Sequence, residues 1–195
     1  MKSSEYKEKD FRPLLSKILP KIAPKIGARV VVEPEWKIVG QIIFKNGRKR
    51  YFRYSSLDLN SLGASDIAKD KDYANFFMAR MKYPTVEGKA FFSKRWAKAL
   101  GSKRDIDAAY RYAQSLGLPG IVKPNSGSQG SNVTKVQTKK EFYQALGRIF
   151  KEDKVALVQR VVTGKDYRIV VLDKQIISAY QRLPLSVAGD GRSSI

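Results

Sequence analysis

Lys123 stands near the end of an apolar run, Ile121-Val122-Lys123-Pro124, and the segment Asn125-Ser-Gly-Ser-Gln-Gly-Ser-Asn132 follows at once. A Gly/Ser loop between two strands can turn several main-chain N–H groups toward one anion, while a lysine on the strand end adds a point charge. That combination makes a phosphate clamp; the same composition also suits a solvated hairpin. It is not a Walker A loop, because no Gly-Lys-Ser/Thr follows it to open a helix, and Glu87-Gly88-Lys89-Ala90 fails the same test.

Composition narrows the chemistry further. The 195 residues include no cysteine and no histidine. Disulfides, thiolate or imidazole metal sites, cysteine nucleophiles and Ser-His-Asp triads are thereby excluded from this chain. Any reaction must run on Lys, Arg, Asp, Glu and main-chain groups. With 38 basic against 18 acidic residues the net charge is +20, which calls for an anionic partner: nucleic acid, a membrane surface, or phosphates. Residues 1–85 carry 18 basic and 9 acidic groups and residues 86–195 carry 20 and 9, so the excess belongs to the whole chain and not to a tail.

The 43% apolar content can fill one compact domain or two small ones. No apolar run approaches the roughly 18 residues that cross a bilayer. The start, Met1-Lys2-Ser3-Ser4-Glu5, lacks the apolar core of a signal peptide, so a cytoplasmic setting is the expectation.

The elements that must position the loop can be read from periodicity. In Phe11 to Ile26, Leu14, Leu15, Ile18, Leu19 and Ile22 recur at helical spacing, with Pro20 and Pro24 as interruptions, which predicts a short helix and a turn. Ala28 to Glu33, Ile38 to Phe44 and Arg50 to Tyr54 read as strands, and Asn46-Gly47 predicts a type I′ hairpin between the last two. From Ser65 the period changes to about 3.6, with Tyr73, Phe77 and Met81 on one face and Pro84 as the stop. Helices are then expected over Phe91–Leu100, carrying Trp96, and over Asp105–Leu116, ending at a left-handed Gly117.

Strands Gly120–Lys123 and Val133–Val136 flank the loop, and Thr138-Lys-Lys-Glu141 is a capping box for a helix burying Phe142, Ala145, Leu146, Ile149 and Phe150. Three further strands, Val155–Val162, Tyr167–Leu172 and Gln175–Tyr180, predict an antiparallel meander. Phe76, Phe77, Trp96, Phe142 and Phe150 read as packing residues.

The order of motifs is more specific than any one of them. Asp70-Lys71 opens a helix ending in Tyr83-Pro-Thr-Val-Glu-Gly88; then come Gly117-Leu-Pro-Gly-Ile-Val-Lys-Pro124, the glycine loop, Ala156-Leu-Val-Gln159, Gly164-Lys-Asp-Tyr-Arg168 and Gly189-Asp-Gly191. From about Asn60 to Ile195 this resembles the ATP-grasp ligases, in the branch holding cyanophycin synthetase, bifunctional glutathione synthetases and the ribosomal-protein glutamate ligases.

The resemblance implies an α+β fold: an antiparallel sheet plus helices in two lobes, with the second lobe incomplete. The implied divisions are an N-terminal β-containing segment (1–62), a first lobe with the glycine-rich loop (63–158) and the start of a second lobe (159–195). It implies ATP and Mg²⁺ as cofactors. Lys71 and Lys123 match the lysines that reach the phosphates, with Lys69 competing with Lys71. Ser126, Gly127, Ser128, Gln129, Gly130 and Ser131 match the lid over them.

Gln159, Arg160, Val161 and Val162 match the segment whose backbone reads the adenine edge. The family usually has a glutamate at the first of these positions, and the neutral amide of Gln159 departs from it. Asp166 matches the acid that accepts from the ribose hydroxyls, or is a turn aspartate. Arg168 matches an arginine near the phosphates, and Arg182 is a candidate for the substrate carboxylate or acyl phosphate; Lys123, Arg168 and Arg182 are thus the catalytic candidates.

In this family a carboxylate attacks the γ-phosphate of ATP, and an amine captures the resulting acyl phosphate to form an amide or peptide bond. Its metal ligands come from strands well beyond the Gly-Asp-Gly turn, so no metal ligand is assigned here. The expectation is a truncated ligase, retaining part of a nucleotide site and turning over slowly or not at all. Expected partners are ATP and small-molecule or peptide carboxylates and amines, with no membrane.

Two rival readings stand beside it. The basic, aromatic stretch Arg48-Lys-Arg-Tyr-Phe-Arg-Tyr54 suits an RNA- or ribosome-associated module, or else a plain alternating strand with its basic residues outward. A catalytically inactive ATP-grasp scaffold is the other.

Overall fold

A computed structural model describes residues 13–128, 130–184, 186, 188, 189 and 191. One expected site residue, Gln129 in the loop, lies outside them, as do Asp190 of the Gly-Asp-Gly motif and the first two residues of the expected Phe11–Ile26 segment. The chain divides into two compact units, 1–68 and 69–195.

The first unit opens with helix α1 (Leu14–Ile22), which carries Pro20 in its last turn, and a 3-10 turn over Ala23–Ile26 that Gly27 closes. Strands β1 (Ala28–Val32), β2 (Val39–Phe44), β3 (Lys49–Arg53) and β4 (Ser56–Leu57) form an antiparallel sheet in chain order. Leu19, Ala23, Ala28 and Phe52 are its buried apolar residues.

The β2–β3 connection differs from the expected type I′ turn. Only Gly47 takes a positive φ, 79°, and Asn46 does not. The Gly47 N–H donates to the Phe44 carbonyl at 2.9 Å, and the Phe44 N–H donates to the Arg48 carbonyl at 2.9 Å. This is a three-residue loop with the glycine as the left-handed bulge residue. The Asn46 side chain is spent on the Arg48 N–H at 3.0 Å, which holds it in the ordinary region.

Helix α2 spans Leu62–Lys69 and α3 spans Lys71–Arg80, where one helix from Ser65 was expected. Asp70 breaks it: extended at φ −88° and ψ 114°, it accepts from the Asp72 and Tyr73 N–H groups and starts a new helix. Phe76 and Phe77 are 55% and 44% exposed, so the expectation that both pack in a core fails. With Tyr73, Val86 and Tyr112 they line an open groove of about 750 Å³ within the second unit.

Phe91 lies on strand β5 (Gly88–Phe92) and not at the start of a helix; the helix, α4, is Lys94–Ala99, capped by Ser93. Helix α5 (Ile106–Leu116) is capped by Asp105. It ends at Gly117 with φ 82° but ψ 133°, outside the left-handed helical well. Strands β6 (Gly120–Pro124) and β7 (Thr134–Val136) bracket the Gly/Ser loop, and α6 (Lys139–Glu152) begins with the expected capping box.

Strand β8 (Val155–Arg160) lies between β5 and β6, completing an antiparallel sheet of order β5-β8-β6-β7. The expected division at 158/159 falls within β8. Helices α5 and α6 bury Ala109, Ala113, Phe142, Ala145, Leu146 and Ile149 against Phe91, Val122, Val136, Ala156 and Val158. Through Val122 and Val136 this apolar cluster fixes β6 and β7, and so both ends of the loop.

The last strands, β9 (Asp166–Leu172) and β10 (Gln175–Arg182), pair with each other. The expected three-stranded meander therefore does not form: β8 is paired on both edges already, which leaves β9 and β10 as a two-stranded hairpin, exposed along its length.

Candidate functional site

The half-buried Lys123 comes from β6 and Lys71 from the first turn of α3, and the two side chains line one small crevice with Pro124, Ser126, Gly127, Ser128, Gly130, Ser131 and Val133. Of the expected phosphate-side residues, the two lysines and the described loop residues are therefore brought together, and Arg168 is not. The crevice measures about 40 Å³, close to the ~30 Å³ that one water occupies in the liquid.

The start of the loop is held by named bonds. The Lys71 ammonium donates to the main-chain carbonyls of Asn125 at 2.9 Å, Ser126 at 2.8 Å and Gly127 at 3.1 Å. An ammonium has three N–H donors, and all three are used here. The Ser126 hydroxyl donates to Asp153 Oδ2, while Asp153 Oδ1 accepts from the Lys154 and Val155 N–H groups at 2.7 and 3.1 Å.

Both lysines titrate below the ordinary lysine value. Burial lowers Lys71, with the Asp153 and Asp70 carboxylates acting the other way. Burial also lowers Lys123, and the positive charge of Lys71 lowers it further. Burial works to raise the Asp153 carboxyl, but hydrogen bonds from Ser126 and the Val155 and Lys154 main chain outweigh it and hold it below the usual range. Two cations thus converge on the loop, where three carbonyls receive Lys71 and the Asp153 carboxylate holds Ser126, and the two ammonium groups are the part of the set suited to a phosphate chain.

The expected adenine-reading segment divides in two. Gln159 is buried in β8, opposite Gly88 of β5 and Ile121 of β6. Arg160, at the exposed end of the strand, donates through Nη2 and Nε to Glu87 Oε2 at 2.8 and 3.2 Å. Val161 and Val162 follow as connector, Val162 exposed.

The remaining candidates stand apart from the crevice. Asp166 and Arg182 pair with each other at 2.6 Å across the exposed hairpin, and Arg168 lies opposite Tyr180 on the same hairpin. None of the three lines the space between Lys71 and Lys123.

Sequence reasoning passed over Asp153 and gave Asn125 no task. Asn125 was legible only as the first loop residue, and Asp153 only as the polar residue between α6 and β8; their roles depend on α3, α6 and the loop meeting.

Residues 77–187 match the family described as D-ala D-ala ligase C-terminus. The chain belongs to that family. A D-alanine--D-alanine ligase from Actinobacillus pleuropneumoniae serotype 5b (strain L20) is 41% identical over 121 residues, covering 62% of this chain and 37% of the relative. A cyanophycin synthetase from Trichormus variabilis (strain ATCC 29413 / PCC 7937) is 29% identical over 131 residues, 67% of this chain and 13% of that one.

Among solved structures, a bifunctional glutathione synthetase from Pasteurella multocida superposes with a TM-score of 0.51 at 19% identity, covering 90% of this chain and 22% of that one. The fold is therefore the α+β ATP-grasp fold, and the ATP-grasp resemblance carried by the motif order holds. This ATP-grasp chain spans 37% of the first curated relative it matches.

Proposed function

We propose that this ATP-grasp chain is the ATP-binding part of a carboxylate–amine ligase, which forms an acyl phosphate and then an amide or peptide bond. The observation that carries the reading is the convergence of Lys71, Lys123 and the Gly/Ser loop on one crevice in a member of the D-ala D-ala ligase C-terminus family. We read residues 63–158 as a first lobe, 159–195 as the start of a second, and a cytoplasmic setting as the one that fits the relatives the chain matches.

In this reading Lys123 and Lys71 hold the phosphates, and the loop N–H groups from Ser126 to Ser131 complete the cradle. Fixed cationic donors offset the charge that gathers on the moving phosphoryl oxygens. Since the crevice is about one water in size and Lys71 is fully engaged with the loop, entry of a phosphate chain requires the loop to lift and Lys71 to exchange carbonyl oxygens for phosphate oxygens. Gln159 to Val162 border the base and Asp166 the ribose; Asp166 must then leave Arg182, which is an exposed and easily screened partner.

The Mg²⁺ that the family chemistry uses is a different matter. Among the described residues no group of three or more acidic, histidine or cysteine side chains is placed to hold a metal ion, and no step is assigned through one. Nor is any helix among them long and apolar enough to cross a membrane. The substrates are read at the level of class: an anionic carboxylate and an amine.

Isothermal titration of MgATP into the wild type and Lys123→Ala tests the assignment. The reading expects binding by the wild type and at least about a tenfold loss in the variant, as for a charge-assisted contact worth roughly 1.5–3 kcal/mol. Equal affinities overturn it. Steep loss of all binding with added salt, together with equal affinity for RNA, favours the nucleic-acid module instead.

A further inference from the structure

We propose that Asn125 is a positioning residue for the phosphate crevice: its buried amide ties the first turn of α3 to the entrance of the Gly/Ser loop and thereby sets Lys71 beside Lys123. The proposal rests on the reading of that crevice as the phosphate site.

Asn125 is 6% exposed, an uncommon burial for a loop amide, and each of its polar groups has a named task. Its main-chain N–H donates to the Val155 carbonyl at 3.1 Å, fixing the residue to β8. Its side-chain Nδ2 donates to Asp70 Oδ2 at 2.7 Å, and its Oδ1 accepts from the Asp72 N–H at 3.1 Å. Its carbonyl receives the Lys71 ammonium at 2.9 Å.

Asp70 is shared in the same way. One carboxylate oxygen caps α3 by accepting from Asp72 at 3.0 Å and Tyr73 at 2.9 Å, and the other takes the Asn125 amide. The bond therefore joins the residue just before Lys71 to the residue two beyond Lys123. An amide of this length offers a donor and an acceptor together; a carboxylate at 125 offers acceptors only, and an alanine offers neither.

The tie has something to oppose. Lys71 and Lys123 are like charges close enough for one to depress the other's proton affinity. Left to themselves they separate; the Asp70–Asn125 bond and the carbonyls that receive Lys71 keep them together. Asp70 and Asp153 are the carboxylates that act on Lys71.

Two experiments decide the proposal, the first without nucleotide. In a ¹³Cε-lysine NMR titration, Lys123 of the wild type is expected to titrate below ordinary lysines. In Asn125→Ala, which changes no charge, it is expected to move up toward them as Lys71 drifts away, with circular dichroism confirming the fold. A Lys123 titration unchanged in Asn125→Ala overturns the proposal.

The second is an exchange of partners. Asp70→Asn sets two amides against each other and Asn125→Asp sets two carboxylates against each other, while the double variant restores one amide facing one carboxylate at unchanged net charge. Each single variant is expected to lose at least about fivefold in MgATP affinity, and the double to return to within about twofold of the wild type. A double variant no better than the weaker single overturns the proposal. If the wild type takes up no MgATP, the ligase reading fails on its own account, and the Lys123 titration still decides whether Asn125 positions the lysine pair.

Discussion

Lys71 and Lys123 face the same crevice from different elements, and the charge of the first lowers the proton affinity of the second. The pair is asymmetric. Lys71 is committed to three loop carbonyls and lies near two carboxylates, whereas Lys123 has burial and a like charge acting on it and both effects run the same way. Lys123 is thus the group whose ammonium gains most from an incoming anion.

Lys71→Met should act on both the loop and its neighbour. Without the like charge Lys123 titrates higher, though burial keeps it below the ordinary 10.5. Since the folded value lies below the unfolded one, the folded chain binds fewer protons between the two, and stability rises with pH across that window. Lys71, itself lowered by burial, also drops out of the balance, so denaturation at a series of pH values up to 10.5 should show a smaller rise in Lys71→Met than in the wild type, with faster amide exchange at residues 125–128. An equal rise in both proteins removes the coupling.

Gly88→Ala probes the contact between β5 and β8. A Cβ at residue 88 would stand 2.3 Å from Gln159 Cγ and 2.8 Å from the Val158 carbonyl oxygen. Such overpacking costs about 1–3 kcal/mol, read as a lower urea midpoint. Gln159→Ala added to it should recover only part of the loss, because the main-chain oxygen of Val158 stays. Full recovery places the clash on the side chain alone.

The crevice that joins Lys123 to the loop was legible because its signals are local: a lysine at a strand end, a Gly/Ser run, a capping box at Thr138. Asp70 shows where locality ends. A period of 3.6 continues through it, and only the cap it forms divides α2 from α3. Phe76 and Phe77 sit at helical spacing in a sequence that reads as core, yet nothing in the described residues covers them fully. Pairing was beyond reach for the opposite reason: β8 is taken by β5 and β6, which are distant in sequence, so the nearest strand, β9, is left to β10. The tasks of Asn125 and Asp153 likewise depend on three elements meeting.

Asp166 and Arg182 offer a stability test with a clear sign. Their side chains are 55% and 50% exposed, so the pair contributes at most about 1 kcal/mol and less as salt is added. Asp166→Asn and Arg182→Gln should therefore unfold at nearly the wild-type urea concentration. Nucleotide affinity separates them: Asp166→Asn lowers it several-fold if the carboxylate takes the ribose, while Arg182→Gln, which leaves that carboxylate in place, does not. Equal loss in both variants assigns the effect to the hairpin as a whole.

Tyr143 offers a stability test at alkaline pH. Its hydroxyl, on α6, donates to Asp107 Oδ1 on α5 at 2.7 Å. That bond first, and then burial, pushes the phenol up to about 12. The neutral phenol is the form the fold stabilises, so the contribution is complete below the ordinary value of 10 and is lost as pH rises toward 12. Tyr143→Phe should accordingly be less stable than the wild type at neutral pH, and the gap should close through that alkaline window. Urea denaturation of both proteins at matched pH measures it, and a gap that stays constant there means the Asp107 bond does not favour the protonated phenol.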